Sequence, residues 1–159
     1  MTVLRSMLIA ACSAMLFGAT AAHADPGTDT ERREVPHVGE RYAGFAGSPA
    51  NLQSLKAGLR RGSEITLTDR TSSVTFTPPT RRMGHGNVRH ALDLASRELA
   101  RAGITRPTPQ QIEAAMMGGT VGSPRGDIEL PGVLALRSQG MGWGRIAHTI
   151  GVHPGRHSH

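Results

Sequence analysis

From Ser48 to Val152 the apolar residues fall into short runs that switch between helical and strand spacing. Leu52, Leu55 and Leu59 recur every three or four positions, the spacing of one helix face. Ser48-Pro49 ahead of them reads as an N-cap with proline at the first helical position, and Gly62 as the stop. Ile65 and Leu67, then Val74 and Phe76, alternate with polar residues on either side of Asp69-Arg70-Thr71-Ser72-Ser73. That pattern predicts a β-hairpin, which Pro78-Pro79 ends. Met83-Gly84-His85-Gly86 then leads into the strongest amphipathic stripe, Val88, Ala91, Leu92, Ala95 and Leu99, with Gly103 as its C-terminal glycine.

The same order then recurs. Thr108-Pro109-Gln110-Gln111 reads as a capping box, followed by Ile112, Ala115 and Met116 and a stop at Gly118-Gly119. Thr120-Val121 and Ile128-Glu129-Leu130 flank a Gly/Ser/Pro turn, a second hairpin. A short helix is predicted over Val133 to Gln139. Met141-Gly142-Trp143-Gly144 opens a last one, with Ile146, Ala147 and Ile150 apolar and Gly151 as the stop. Residues 83–92 and 141–150 share the methionine, both glycines and the histidine (His90, His148), with Val/Ile and Leu/Ile exchanges between them. The chain therefore reads as an internal duplication, helix–hairpin–MG-x-G–helix, in halves of about 48–103 and 108–152. The expected fold is α+β: the two hairpins join in one small antiparallel sheet, packed against about five short helices.

The ends of the chain read differently. Arg5, the apolar run Met7–Ala22 and the small residues of Ala22-His23-Ala24 form the three parts of a secretory signal peptide over residues 1–24. The run is short for a membrane-spanning helix. An uncleaved anchor is one alternative. Lipidation at Cys12, after Ile9-Ala10-Ala11, is another, although few apolar residues would then precede the cysteine. Residues 25–40 are polar and without period, a flexible leader. Residues 41–152 are expected to form one domain. Residues 153–159 form a loose tail with His153, His157 and His159.

Export changes what the composition means. The chain has one cysteine, Cys12, inside the signal segment, so the mature protein is expected to have neither a disulfide nor a thiol nucleophile. Past the signal the aromatic residues are Tyr42, Phe45, Phe76 and Trp143, so aliphatic residues and methionine must fill the core. The formal net charge is +6 and Lys56 is the sole lysine. Arginine suits bidentate contact with carboxylate or phosphate. The arginines come in scattered pairs, Arg32-Arg33, Arg60-Arg61 and Arg81-Arg82, readable as a solvated face or as the footprint of an anionic partner.

Two resemblances bear on function. Leu136-Arg137-Ser138-Gln139-Gly140-Met141-Gly142-Trp143-Gly144-Arg145-Ile146-Ala147, with Gly151-Val152 and the upstream Met116–Val121 and Met83–Val88 strings, resembles an uncharacterised family of exported bacterial proteins. That likeness implies export and a shared fold, and brings no activity. More loosely, Leu136 to Val152 is similar to the first helix pair of resolvase-like helix-turn-helix modules. Those use a following recognition helix in the major groove. Only His153–His159 follows Val152 here, so nucleic-acid binding is not expected.

The candidate sites are few. Gly84-x-Gly86 and Gly142-x-Gly144 precede helices, where bare backbone N–H groups favour an anion. Arg81, Arg82 and Arg145 lie beside them in sequence. The structural alternative is that these glycines serve a tight turn and close packing. His90 and His148 occupy equivalent repeat positions and could share a metal or a pH-sensitive contact, or be ordinary helical histidines. His153, His157 and His159 are a possible metal set. Trp143 is expected as a core wedge between the last two helices. No G-x-S-x-G, H-E-x-x-H or P-loop string occurs, and Asp127 and Glu129 read as solvated carboxylates. The expectation is a non-catalytic exported or periplasmic binding protein without a cofactor. Its partner would be a protein or an anionic envelope component, and no transmembrane segment is expected once the signal is removed. A periplasmic metal-binding or metal-stress protein using the histidine tail is the alternative. A hydrolase whose site spacing does not reveal is a third.

Overall fold

The computed structural model describes residues 42–152. The signal segment, the leader and the histidine tail lie outside them. A short helix over 42–46 (α1) is followed by α2 (Pro49–Arg61), β1 (Ile65–Thr68), β2 (Ser73–Phe76) and α3 (His85–Arg101). Then come α4 (Pro109–Met117), β3 (Gly119–Ser123), β4 (Gly126–Leu130), α5 (Val133–Ser138) and α6 (Trp143–Thr149). The fold is α+β, and the element order repeats as helix, hairpin, helix, with α5 inserted before the last.

Local chemistry sets the boundaries. Ser48 Oγ accepts from the Asn51 N–H at the start of α2. Thr108 and Gln111 cap each other at the start of α4, the reciprocal arrangement that satisfies two otherwise orphaned donors. Helix α3 ends at Gly103, whose φ of 83° lets the chain turn back. The Gly103 N–H then bonds Ala100 O at 3.0 Å and the Ile104 N–H bonds Leu99 O at 2.8 Å. Gly140 and Gly151 close α5 and α6 with the same pair of bonds.

The strands do not form one sheet. β1 pairs with β2, and β3 with β4, as two separate antiparallel hairpins. Ile65 faces Phe76 in the first, and Val121 faces Ile128 in the second. The expectation of a joined four-stranded sheet fails because helices take the backbone groups a neighbouring strand would have used. Asn51 of α2 accepts from the Thr68 N–H at 3.0 Å and donates to Thr68 O at 2.9 Å, while Ser54 Oγ accepts from the Thr66 N–H. On the second hairpin, Gln111 Nε2 of α4 donates to Gly122 O at 2.9 Å. Each hairpin thus gains a helix where a lone pair of strands would be marginal.

One apolar cluster joins everything from Tyr42 to Val152. Leu55, Leu59, Ile65 and Leu67 bring α2 and the first hairpin into it; Leu92, Leu99, Ile112, Met116, Leu134 and Ile146 bring in the remaining helices. A Cβ would overlap a neighbour at three glycines; at Gly151 that neighbour is the Arg101 guanidinium. A Cβ on Gly58 would overlap the Ile65 side chain, so α2 lies directly on β1. A Cβ on Gly132 would overlap the Gly118 nitrogen and the Met117 carbonyl, where the start of α5 crosses the end of α4. Helix α1 is an addition to the elements read from the pattern. Tyr42, Phe45 and Ala46 are buried, and the Tyr42 hydroxyl donates to Arg89 O at 3.5 Å. Among the described residues no helix is long and apolar enough to cross a membrane.

Candidate anion-binding face

The two MG-x-G strings meet at Trp143. This residue is the first of α6, and its indole Nε1–H donates to Oδ1 of Asn87, on the first turn of α3, at 2.9 Å. Its ring stacks on His90 with centroids 5.6 Å apart at 27°. The Arg137 guanidinium lies 4.9 Å from the ring centre and donates to Met141 O at 2.7 Å. Trp143 is half-buried. It is therefore a bracket joining the starts of α3 and α6 to the end of α5, wider in reach than a wedge between the last two helices.

The two segments that meet at this bracket are rich in cations, and Asp93, half-buried on α3 directly after the first of them, is paired with Arg97. Residues 77–92 and 131–152 hold Arg81, Arg82, Arg89, Arg137 and Arg145, with His85, His90 and His148, and no aspartate or glutamate. Arg81, Arg82, Arg89 and Arg145 are exposed, as are the three histidines; Arg137 is half-buried. The two segments are far apart in sequence and become neighbours through Asn87, His90 and Trp143.

The four glycines of the strings need no glycine conformation. Gly84 and Gly142 are N-caps at φ −68° and −70°. Gly86 and Gly144 are not among the positive-φ glycines. A Cβ built on any of the four meets nothing within 4 Å, and all four are exposed. Tight turning and close packing belong to Gly132 and Gly58 instead. What the four glycines do provide is bare backbone on an open surface.

His90 finds its ring partner in Trp143, while His148 is exposed on the last turn of α6. Among the described residues no three His, Cys, Asp or Glu side chains are grouped as a metal site would require. His153, His157 and His159 lie outside the described residues. Asp127 and Glu129 are both exposed, on β4.

Two further polar features stand apart from this face. A cleft of about 460 Å³ is lined by Ala46, Asn51, Asp69, Arg70, Pro109 and Ile112, among others. Its buried polar side chain, Asn51, is fully engaged with Ala46 O and both backbone groups of Thr68. The Asp69 carboxylate at its rim accepts from the N–H and hydroxyl groups of Thr71 and Ser72. These bonds, the Thr71 N–H first, hold its pKa below the usual 3.8. The second feature is Glu98, buried on α3. Burial pushes its pKa up to about 7, partly opposed by the Arg101 charge. Among the described residues its Oε2 has no hydrogen-bond partner, and Arg101 itself donates to Ile150 O at 2.7 Å, tying α3 to the end of α6.

Asn87, Arg89 and Arg137 are the members of this face that sequence reading did not single out. Asn87 was visible as part of the first MG-x-G string, but its pairing with Trp143 depends on how the helices meet.

The architecture is that of a small α+β protein with helix-backed hairpins. Family models, curated proteins and solved structures give no match to this chain.

Proposed function

We propose that the chain is an exported, non-catalytic binding protein that holds an anionic partner on the face where the two MG-x-G strings meet. The observation that carries this reading is charge segregation. Five arginines and three histidines come from residues 77–92 and 131–152, which the Trp143 bracket brings together, and the next acid on α3, Asp93, is paired with Arg97. A solvated face chosen only for solubility is better served by both signs interspersed. The glycines fit the same reading: at Gly86 and Gly144, in the first turns of α3 and α6, a Cβ would meet nothing among the described residues, so both positions offer bare backbone to a partner. Arginine's planar donors match oxyanions two at a time. Export rests on the three-part segment of residues 1–24.

Retention of the exported chain on phosphate-bearing and carboxylate-bearing resins, eluted with salt, tests this. The wild type should elute at higher salt than the Arg81→Ala/Arg82→Ala/Arg145→Ala variant. Equal elution of the two, with both folded, would remove the face as the binding site. Flow-through of the wild type at low salt on both resins would remove the reading altogether.

A further inference from the structure

We infer that the C-terminal end of α2 extends this face into a four-arginine site, Arg60, Arg61, Arg81 and Arg82, that docks on the phosphate headgroups of an anionic bilayer. The inference rests on the anion-binding reading and adds to it two arginines, a location and a ligand source.

The fold makes the site from two pairs twenty residues apart. Arg60 and Arg61 occupy the last turn of α2. The loop carrying Arg81 and Arg82 crosses that same end: the Met83 N–H donates to Leu59 O at 3.1 Å. Gly62, with φ 65°, sits so close to the loop that a Cβ there would lie 3.2 Å from the Arg82 nitrogen. All four arginines are exposed. None has an ion-pair partner among the described residues; Glu64, exposed nearby, forms no ion pair with them.

Helix electrostatics accounts for half of this. Cations in a last turn complement the negative end of the helix dipole, which suffices for Arg60 and Arg61. It does not explain why a separate loop delivers two more guanidinium groups to the same end. Four like charges left together on an open surface suit a polyanion that offers several oxyanions at once.

The surroundings favour headgroups over a protein. Protein interfaces are centred on desolvated apolar or aromatic anchors. Here the exposed residues flanking the two pairs in the chain are Ser63, Glu64, Pro79 and Gly84. All four guanidinium-bearing residues stand on exposed surface, and none lines the cleft of about 460 Å³. A bilayer asks only for charge and supplies many phosphates. On the export reading, the apolar run Met7–Ala22 directs the chain to a membrane whose surface offers phosphate headgroups.

Co-sedimentation of the exported chain with vesicles decides the matter. One set contains phosphatidylglycerol and phosphatidylcholine; pure phosphatidylcholine gives the background, including any pull by residual apolar leader. The wild type should partition onto the anionic vesicles at low salt and leave them at high salt. Removing either pair (Arg60→Ala/Arg61→Ala or Arg81→Ala/Arg82→Ala) should lower partitioning ~30-fold, from about fivefold per arginine near an anionic surface. Circular dichroism checks that the variants fold. If Arg60→Ala/Arg61→Ala binds like the wild type, the four-arginine site falls, while the anion-binding reading stands provided the Arg81/Arg82/Arg145 variant still loses resin retention. Retention on a phosphate or carboxylate resin without vesicle binding overturns the bilayer as source. No binding to any of these anions overturns both.

Discussion

Glu98 gives a prediction that reaches the packing of the whole chain. It is 5% exposed on the inner face of α3, and its Oε2 lacks a partner among the described residues. Removal from water disfavours the charged carboxylate, and the nearby Arg101 charge offsets only part of this, so the pKa rises from 4.5 to about 7. In the unfolded chain the same group ionises near 4.5. Between these two values the folded protein keeps a proton that the unfolded chain has lost, so stability falls as pH rises through the window. Below about 4.5 the group costs nothing extra; above about 7 the full penalty is present. The interval corresponds to about 3 kcal/mol. For a domain of this size that is on the order of 10 °C in Tm.

Glu98→Gln isolates the effect, because the amide keeps the shape and cannot ionise. Its extra N–H groups add an offset that does not depend on pH. Thermal melts of both proteins across pH 4 to 9 should show the variant gaining on the wild type through the 4.5–7 window, by ~10 °C in total. The gain should level off above about pH 7.5. A Tm difference that stays constant across this range would refute the argument, and would mean that water or a hydrogen-bond donor reaches Oε2.

The other predictions concern named contacts. Gly132→Ala should destabilise by roughly 3 kcal/mol or more in a denaturant melt, since φ is 78° and the new Cβ overlaps α4. Gly86→Ala, in open space in the first turn of α3, should instead leave stability unchanged or raise it by less than the ~1 kcal/mol of a helix interior and weaken resin retention; a destabilised Gly86→Ala would show that the fold needs this glycine. Asn51→Ala strips hydrogen bonds from Ala46 O and from both backbone groups of Thr68. It should cost about 3 kcal/mol at roughly 1 kcal/mol per bond, with exchange of the Thr68 amide rising most. A double-mutant cycle of Trp143→Phe and Asn87→Ala should return a coupling of about 1 kcal/mol, and zero coupling would dissolve the bracket.

What could be read from sequence was local. Ser48, Thr108, Gly62, Gly103 and Gly151 announce helix ends because a cap or a left-handed turn needs particular residue types at particular places. The alternation in 65–76 announces a hairpin for the same kind of reason. The separation of the hairpins is not legible, because it turns on Asn51, Ser54 and Gln111, polar helix residues whose side chains reach strand backbones. Nothing in their spacing distinguishes that use from solvent exposure. Helix α1 escaped because Tyr42, Phe45 and Ala46 make a single turn diluted by Gly44 and Gly47. The arginine pairs were visible one by one. Their convergence at the end of α2 depends on the Met83–Leu59 bond, which no pairwise pattern in the sequence encodes.

The glycine strings show why a motif must be tested against the space around it. Read alone, G-x-G before a helix is satisfied by either packing or ligand approach. The structure separates the two by asking what a methyl group would touch. At Gly58 and Gly132 it would strike a neighbour, so those glycines serve the core. At Gly84, Gly86, Gly142 and Gly144 it would touch nothing, at backbone angles open to other residues. Bare peptide groups in a helix are unfavourable where alanine would fit, and here they recur beside the same indole, within segments that carry no acid. On the proposed reading these bare peptide groups give an anionic partner close access, so loss of binding without loss of stability in Gly86→Ala is the outcome on which that reading depends.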